Sequence, residues 1–323
     1  MAKLMVCTRK ECFARMMKKN EDITMKKVTI EEVIDRLGEQ VIKVSGLHEG
    51  YYVDNLADVA HVNQTTLDWV NPSKVDKQGI VKKSQARVIL VDPSVEYVDG
   101  KVLIYVNNPK RALATVGNAF FVEKAEPGIH PTAVVSPDAV ISEGVSIGAH
   151  AVVGRVIVGK RTIISPLVRI YDNVTIGEDC FIKEGAVIGG AGFGFERDEN
   201  GNRFRFPQIG GVRIGNHVDI GANTCIDRGA LSDTILEDYA KVDNLCHIAH
   251  NAHIEKNAVV VACAEVSGSC VVGENSWVGP NACIRDQRNV GSNAMIGMGA
   301  VVVKSIGDNE VWAGNPAKNM NER

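Results

Sequence analysis

The chain has 323 residues, a formal net charge of −3 and 45% hydrophobic content, with a mean hydropathy of −0.02. That charge gives no reason to expect a nucleic-acid partner, and no apolar run approaches the roughly 18 residues a membrane helix requires. Aromatic residues make up only 5% while glycine reaches 31, a balance that points to a soluble fold of short strands and tight turns.

Residues 1–24, "MAKLMVCTRKECFARMMKKNEDIT", are basic and Met-rich but lack the continuous apolar core of a signal peptide. They are expected to form a disordered extension, with Met25 a candidate natural start. The eight cysteines have no close pairs. Without a secretion signal they predict a reduced, cytoplasmic setting rather than a disulfide framework. Next comes "VTIEEVIDRLG", whose apolar Val28, Ile30, Val33, Ile34 and Leu37 give a short helix pattern. "ARVILVD" and "KVLIYVNNPKRALATVGNAFF" follow, and "GIHPTA" (residues 128–133) leads into a different kind of sequence.

From about residue 130 the chain repeats with period six, as in "VTIGED CFIKEG AVIGGA" and "VRIGNH VDIGAN". The third residue of each hexamer runs from Val135 through Ile188, then Ile214 to Ile226, then Leu236 to Val302, and every one is Val, Ile or Leu. Small side chains such as Ala151, Cys180, Ala186, Cys246, Cys270 and Ala282 recur four residues later. This is the pattern of a parallel β-helix, each hexamer supplying a short strand and a corner. The branched residue fills the interior and the small one lets the corner close. Cys180, Cys246 and Cys270 are therefore read as core packing.

The repeat resembles the hexapeptide acyltransferases, which implies a left-handed helix with three faces per coil and a homotrimer. Three faces allow stacking to be worked out. The first break, loop 190–211, leaves the corner after Ile188, and "GALSD" (residues 229–233) leaves the corner after Ile226, one coil above. The next coil puts His250 in that column, then Gly268, then Asp286 with Gln287 beside it. A solenoid that gathers its irregular loops at one edge is usually building a site there.

"CHIAHNAHI" (residues 246–254) holds three histidines. His250 falls at the corner, whereas His247 and His253 fall on successive faces. That spacing does not gather three nitrogens round one metal within a subunit, so no metal site is expected.

"IGGAGFGFE", "FPQIGGVRIGNHVDIGANTCIDRGALSDT" and "VDNLCHIAHN" resemble the UDP-3-O-acylglucosamine N-acyltransferases of lipid A synthesis, and the resemblance covers roughly residues 27–306. It implies a mainly β enzyme with a small α/β nucleotide-binding domain at 25–125, a β-helix acyltransferase domain at 126–306 and a tail at 307–323. It further implies that His250 is the general base and that Gly268 offers its N–H to the thioester oxygen. Asn71 of "VNP" would contact the base of a nucleotide amino sugar, with Trp69 close by. Asp227, Arg228, Asp243, His247 and Gln287 are substrate-binding candidates, and Asp227 or Asp243 could orient His250. No bound cofactor is implied; the co-substrate is an acyl thioester of acyl carrier protein or coenzyme A.

Three positions depart from that family's pattern. Asp68 and Lys74 stand where it carries aromatics around the base, and Gln287 stands where it has a second histidine. The ending "VWAGNPAKNMNER" resembles that of coenzyme A–dependent sugar acetyltransferases, with Arg285 and Lys304 as candidates to meet phosphates. A coenzyme A–dependent N-acyltransferase for capsule or O-antigen is therefore the alternative. A γ-class carbonic anhydrase-like or non-catalytic trimeric scaffold is more distant.

Overall fold

The computed structural model describes residues 26–46 and 49–321; the expectations for residues 1–24 and for Met25 fall outside them. The chain forms two compact units, divided between Lys124 and Ala125.

In the first unit, β1 (Val28–Thr29) leads into α1 (Ile30–Leu37) through a capping box: Thr29 Oγ1 accepts the Glu32 N–H, and Glu32 accepts the Thr29 N–H. The helix buries Ile30, Val33 and Leu37, the face its periodicity predicts. After β2 (Val41–Ser45) and β3 (Tyr52–Val53) come β4 (Leu67–Trp69), α2 (Lys77–Lys83), β5 (Val88–Val91), β6 (Val102–Val106) and α3 (Pro109–Phe120). The sheet runs β2-β6-β5-β4, with β4, β5 and β6 parallel and β2 antiparallel to β6. Strands β5 and β6 are buried at every residue, which is why they read as continuous apolar runs rather than alternating ones.

The second unit is a left-handed parallel β-helix with three faces, and its tail belongs to the same unit. The first face runs from Gly128–Ile129 to Val311–Ala313 and Lys318–Asn319. The second runs from Val134–Val135 to Val301–Val302, and the third from Val140–Ile141 to Asn289–Val290. Each inward aliphatic sits on its counterpart one coil below, as Ile170, Ile188, Ile226, Ile248, Val266, Ile284 and Val302 do. Burying each is worth about 1.5–3 kcal/mol. Cys180, Cys246 and Cys270 are buried in this core.

Corners turn through residues in the left-handed region, with φ between 55° and 64° at non-glycine positions such as Asn223, Asn251, Asn257 and Gln287. Asparagine tolerates that conformation best after glycine, which explains its frequency there. At the C-terminal end Trp312 packs against the core, and Ala317, in the turn of the last hairpin, is buried with it.

Candidate active site

Both insertions leave the edge between the second and third faces, and they lock together. The first forms a hairpin, Phe195–Arg197 against Arg203–Arg205. At its root Ile209 N–H donates to Ala230 O (2.7 Å), Gly210 N–H to Gly229 O (3.0 Å) and Gly211 N–H to Asp233 Oδ1 (2.7 Å). Gly229 must be glycine, because a Cβ there would collide with the Ser232 carbonyl.

His250 stands at this edge, half-buried, one coil above the second insertion. Gly268 lies on the next coil, and a Cβ there would come within 2.7 Å of His250 Cε1 and 2.8 Å of Nε2. The ring thus rests directly on Gly268. On the other side Gly192, from the first insertion, approaches so closely that a Cβ would fall 3.0 Å from His250 Cβ and 3.2 Å from Cδ2. Only glycines let the backbone close on the imidazole from both directions.

Asn251 fixes the state of that imidazole. Its Nδ2 donates to Ser232 O (3.1 Å) and Oγ (2.8 Å), and its Oδ1 accepts the Ala230 N–H (3.0 Å). The amide therefore presents oxygen, not nitrogen, to His250 Nδ1 at 3.1 Å. An acceptor there requires Nδ1 to carry the proton. In the neutral ring this leaves the lone pair on Nε2, the atom nearest Gly268 together with Cε1. The Gly268 N–H donates to no described residue, whereas at the same place in other corners Glu178, Ala222 and Ser292 donate theirs to side chains of the next coil. A proton acceptor and a backbone donor one coil apart are the parts an acyl transfer needs.

The other sequence candidates fall around this edge in different ways. Asp227 does not orient His250: its Oδ2 meets His247 Nε2 at 3.1 Å, while Glu265 Oε2 meets His247 Nδ1 at 2.9 Å. The hydrogen bond to Asp227, then that to Glu265, pushes His247 up to about 10, making it an imidazolium at neutral pH. Arg228 donates Nε to Gly189 O (2.8 Å) and Nη2 to Asp172 O (3.1 Å), tying two coils together. Asp243 lies on the first face, lining a groove of about 260 Å³ with Lys241 and Trp277. His253 points from the third face to Glu237 (2.7 Å).

Gln287 takes the left-handed corner position one coil above Gly268 and donates its N–H to Gly268 O (2.9 Å). Arg285 and Lys304 are exposed farther along the edge, Lys304 two coils above Gly268 in the same column. In the first unit Trp69 is half-buried against the core. Asn71 is exposed, its Oδ1 accepting the Ser73 N–H at 3.0 Å. Asp68 accepts from Ser84 Oγ (2.6 Å) and from the Trp69 N–H (2.8 Å). Sequence reasoning missed Asn251, Gly192 and Gln208. The signal for Asn251 was present in "AHN", but nothing in the repeat distinguishes it from other corner asparagines.

Known proteins resemble this chain in sequence and in fold. The bacterial transferase hexapeptide family (six repeats) matches residues 155–190. A UDP-3-O-acylglucosamine N-acyltransferase of Bordetella pertussis is 34% identical over 261 residues, 71% of this chain and 72% of that protein. One from Coxiella burnetii is 33% identical over 275 residues, 79% and 80% of the two chains. The chain belongs to the UDP-3-O-acylglucosamine N-acyltransferase family. It is an acyltransferase. Among solved structures, a UDP-N-acetylglucosamine acyltransferase from Campylobacter jejuni superposes with a TM-score of 0.53 at 25% identity, covering 59% of this chain and 73% of that one. One from Bacteroides fragilis gives 0.54 at 25% identity with the same coverage. Among the described residues, no helix is long and apolar enough to cross a membrane, and no three His, Cys, Asp or Glu side chains are grouped to hold a metal ion.

Proposed function

We propose that this chain moves an acyl group from a thioester to the amine of UDP-linked 3-O-acylglucosamine, with His250 as general base and Gly268 as oxyanion donor. The observation that carries the reading is the His250 ring lying on Gly268 with its Nδ1 committed to Asn251. The amine attacks the thioester carbonyl, and a C–N bond forms. The carbonyl oxygen gains a negative charge, which the Gly268 N–H stabilises; one such donor is worth roughly 3 kcal/mol. Nε2 takes the proton the nitrogen loses. The C–S bond then breaks, and the imidazolium returns the proton to the departing thiolate. The thioester is carried by acyl carrier protein, the enzyme is a cytoplasmic homotrimer, and the nucleotide is held by the first unit through Asn71 and Trp69. Around the His250 edge, Asp227, Arg228, His247 and Gln287 form the surroundings of the sugar, whereas Asp243, on the first face, stands apart from that edge.

The alternative, a coenzyme A–dependent N-acyltransferase acting on another nucleotide amino sugar, is supported by the ending "VWAGNPAKNMNER", which resembles that of coenzyme A–dependent sugar acetyltransferases, and by Asp68 standing where the resemblance leads one to expect an aromatic. Arg285 and Lys304 would then meet the coenzyme A phosphates. Mass spectrometry of products from acyl carrier protein and coenzyme A donors, each against UDP- and dTDP-amino sugars, separates the two readings. His250→Ala should lower kcat by about 100-fold or more with little change in KM for the acceptor. Near wild-type turnover in that variant would remove the base role. Sedimentation that finds a fully active monomer would remove the trimer.

A further inference from the structure

The most unusual polar atom of the second unit lies beside the base. Gln208 Oε1 is the one buried side-chain oxygen or nitrogen among the described residues that has no hydrogen-bond partner. Buried polar groups are nearly always paired, and one that is not calls for an explanation. Gln208 belongs to the first insertion, and its carboxamide is clipped between two glycines. A Cβ on Gly194 would fall 2.9 Å from Nε2, and one on Gly192 would fall 3.0 Å from Oε1. That same point on Gly192 is 3.2 Å from His250 Cδ2, so the carboxamide and the ring carbon next to Nε2 flank a single glycine. The amide is held by one long contact, Nε2 to Phe206 O at 3.5 Å. The carboxamide thus turns its unpartnered oxygen toward Gly192, on the side where His250 lies.

We propose that Gln208 is a substrate-positioning and specificity residue: its carboxamide oxygen accepts one N–H of the acceptor amine while His250 Nε2 accepts the other. This rests on the reading of His250 as the base. A neutral primary amine has two protons and one lone pair. With one proton on each acceptor, the lone pair is aimed at the thioester carbon above Gly268, and orientation of that kind is a large part of catalysis. A hydroxyl has a single proton, which goes to His250 and leaves Gln208 unpaired. A site that is unpaired with the wrong nucleophile discriminates against it strongly. The covalent step is unchanged: the amide C–N bond forms, the C–S bond breaks, and the proton passes through Nε2 to sulfur.

The test compares two acceptors on one protein: the UDP-linked amino sugar and the same compound with a hydroxyl in place of the amine. In Gln208→Leu, amide formation should fall about 10-fold, the worth of one hydrogen bond, while ester formation stays within about 2-fold and the acceptor KM hardly moves. Gln208→Glu keeps an acceptor oxygen and should restore most of the amide rate. Equal loss with both acceptors, or a Glu variant as slow as the Leu variant, would show a merely structural role and overturn the proposal. Amide formation in Gln208→Leu within about 2-fold of wild type would overturn it as well. If ester formation is undetectable in both proteins, rescue by Glu decides. Failure of the underlying reading shows elsewhere, as full turnover by His250→Ala.

Discussion

Two edges of the same solenoid have been put to different uses. The edge between the third and first faces turns through Asn257, Asn275, Asn293 and Asn309, each in the left-handed region. These corners also join the coils, as Asn257 N–H donates to Asp238 O at 3.1 Å and Asn275 N–H to Lys256 O at 3.0 Å. The edge between the second and third faces uses the same corner at Asn251, yet there the side chain reaches into an insertion and onto a histidine. The backbone is nearly identical in the two places, φ 57° at Asn257 and 61° at Asn251. The difference is therefore not conformation but what the loops bring within reach. A repeat supplies identical frames; chemistry appears where an inserted loop and two glycines change the surroundings of one of them.

The sharpest way to break that contrast is to give the loaded edge an ordinary side chain. Gly268→Ala places a methyl 2.7–2.8 Å from the imidazole carbon and nitrogen that face it, so the ring must move. A shift of about 1 Å in a reacting group costs on the order of 100-fold. Steady-state kinetics should show kcat reduced by about that much. Gly268 does not have a positive φ, so alanine introduces no backbone strain to confuse the result. A Gly268→Ala enzyme with normal kcat would mean the close approach has no catalytic use.

A smaller effect is expected at the corner itself. Asn251→Asp keeps an acceptor for His250 Nδ1 but loses the two donor bonds to Ser232. Asn251→Ala loses both kinds. Alanine should therefore lower kcat by about 10- to 100-fold and aspartate by less, while Asn257→Ala on the plain edge leaves kcat unchanged. All three variants should lose some stability, alanine more because it tolerates the left-handed region poorly. Equal kcat in the Asn251 and Asn257 alanine variants would contradict the tautomer argument.

How much of this was legible in the sequence follows from the same contrast. Period six fixes which residues point inward, so the core from Val135 to Val302, the buried cysteines and the column of His250, Gly268 and Asp286 could be read directly. Loop 190–211 could be located but not folded, because nothing periodic places Gln208 or Gly192 against His250. The partner of His250 was also out of reach. Asp227 and Asp243 were the charged candidates, but Asp227 faces outward on the second face beside His247, and Asp243 lies on the first face. Asn251 looked like one more corner residue. The tail "VWAGNPAKN" carries no hexapeptide pattern, yet it places Trp312 and Ala317 over the end of the core.

The weakest of these effects sets a flat face against the edge. His247 is held between Asp227 and Glu265 with both ring nitrogens engaged, and its proton is retained up to about pH 10 in the folded chain against 6.5 for an ordinary histidine. A group whose affinity for its proton is raised by folding stabilises the fold fully below its unfolded value, and loses that contribution as pH rises through the folded one. The stabilisation should thus be complete below about pH 6.5 and gone above about pH 10. His247→Gln can still hydrogen-bond but cannot carry the charge. The difference in denaturant midpoint between wild type and His247→Gln should shrink steadily across that window. It should be modest throughout, since the imidazole is 39% exposed and solvent screens the pair. A His247 difference that is constant from pH 6 to pH 10 would show that the cluster is held by shape rather than by charge.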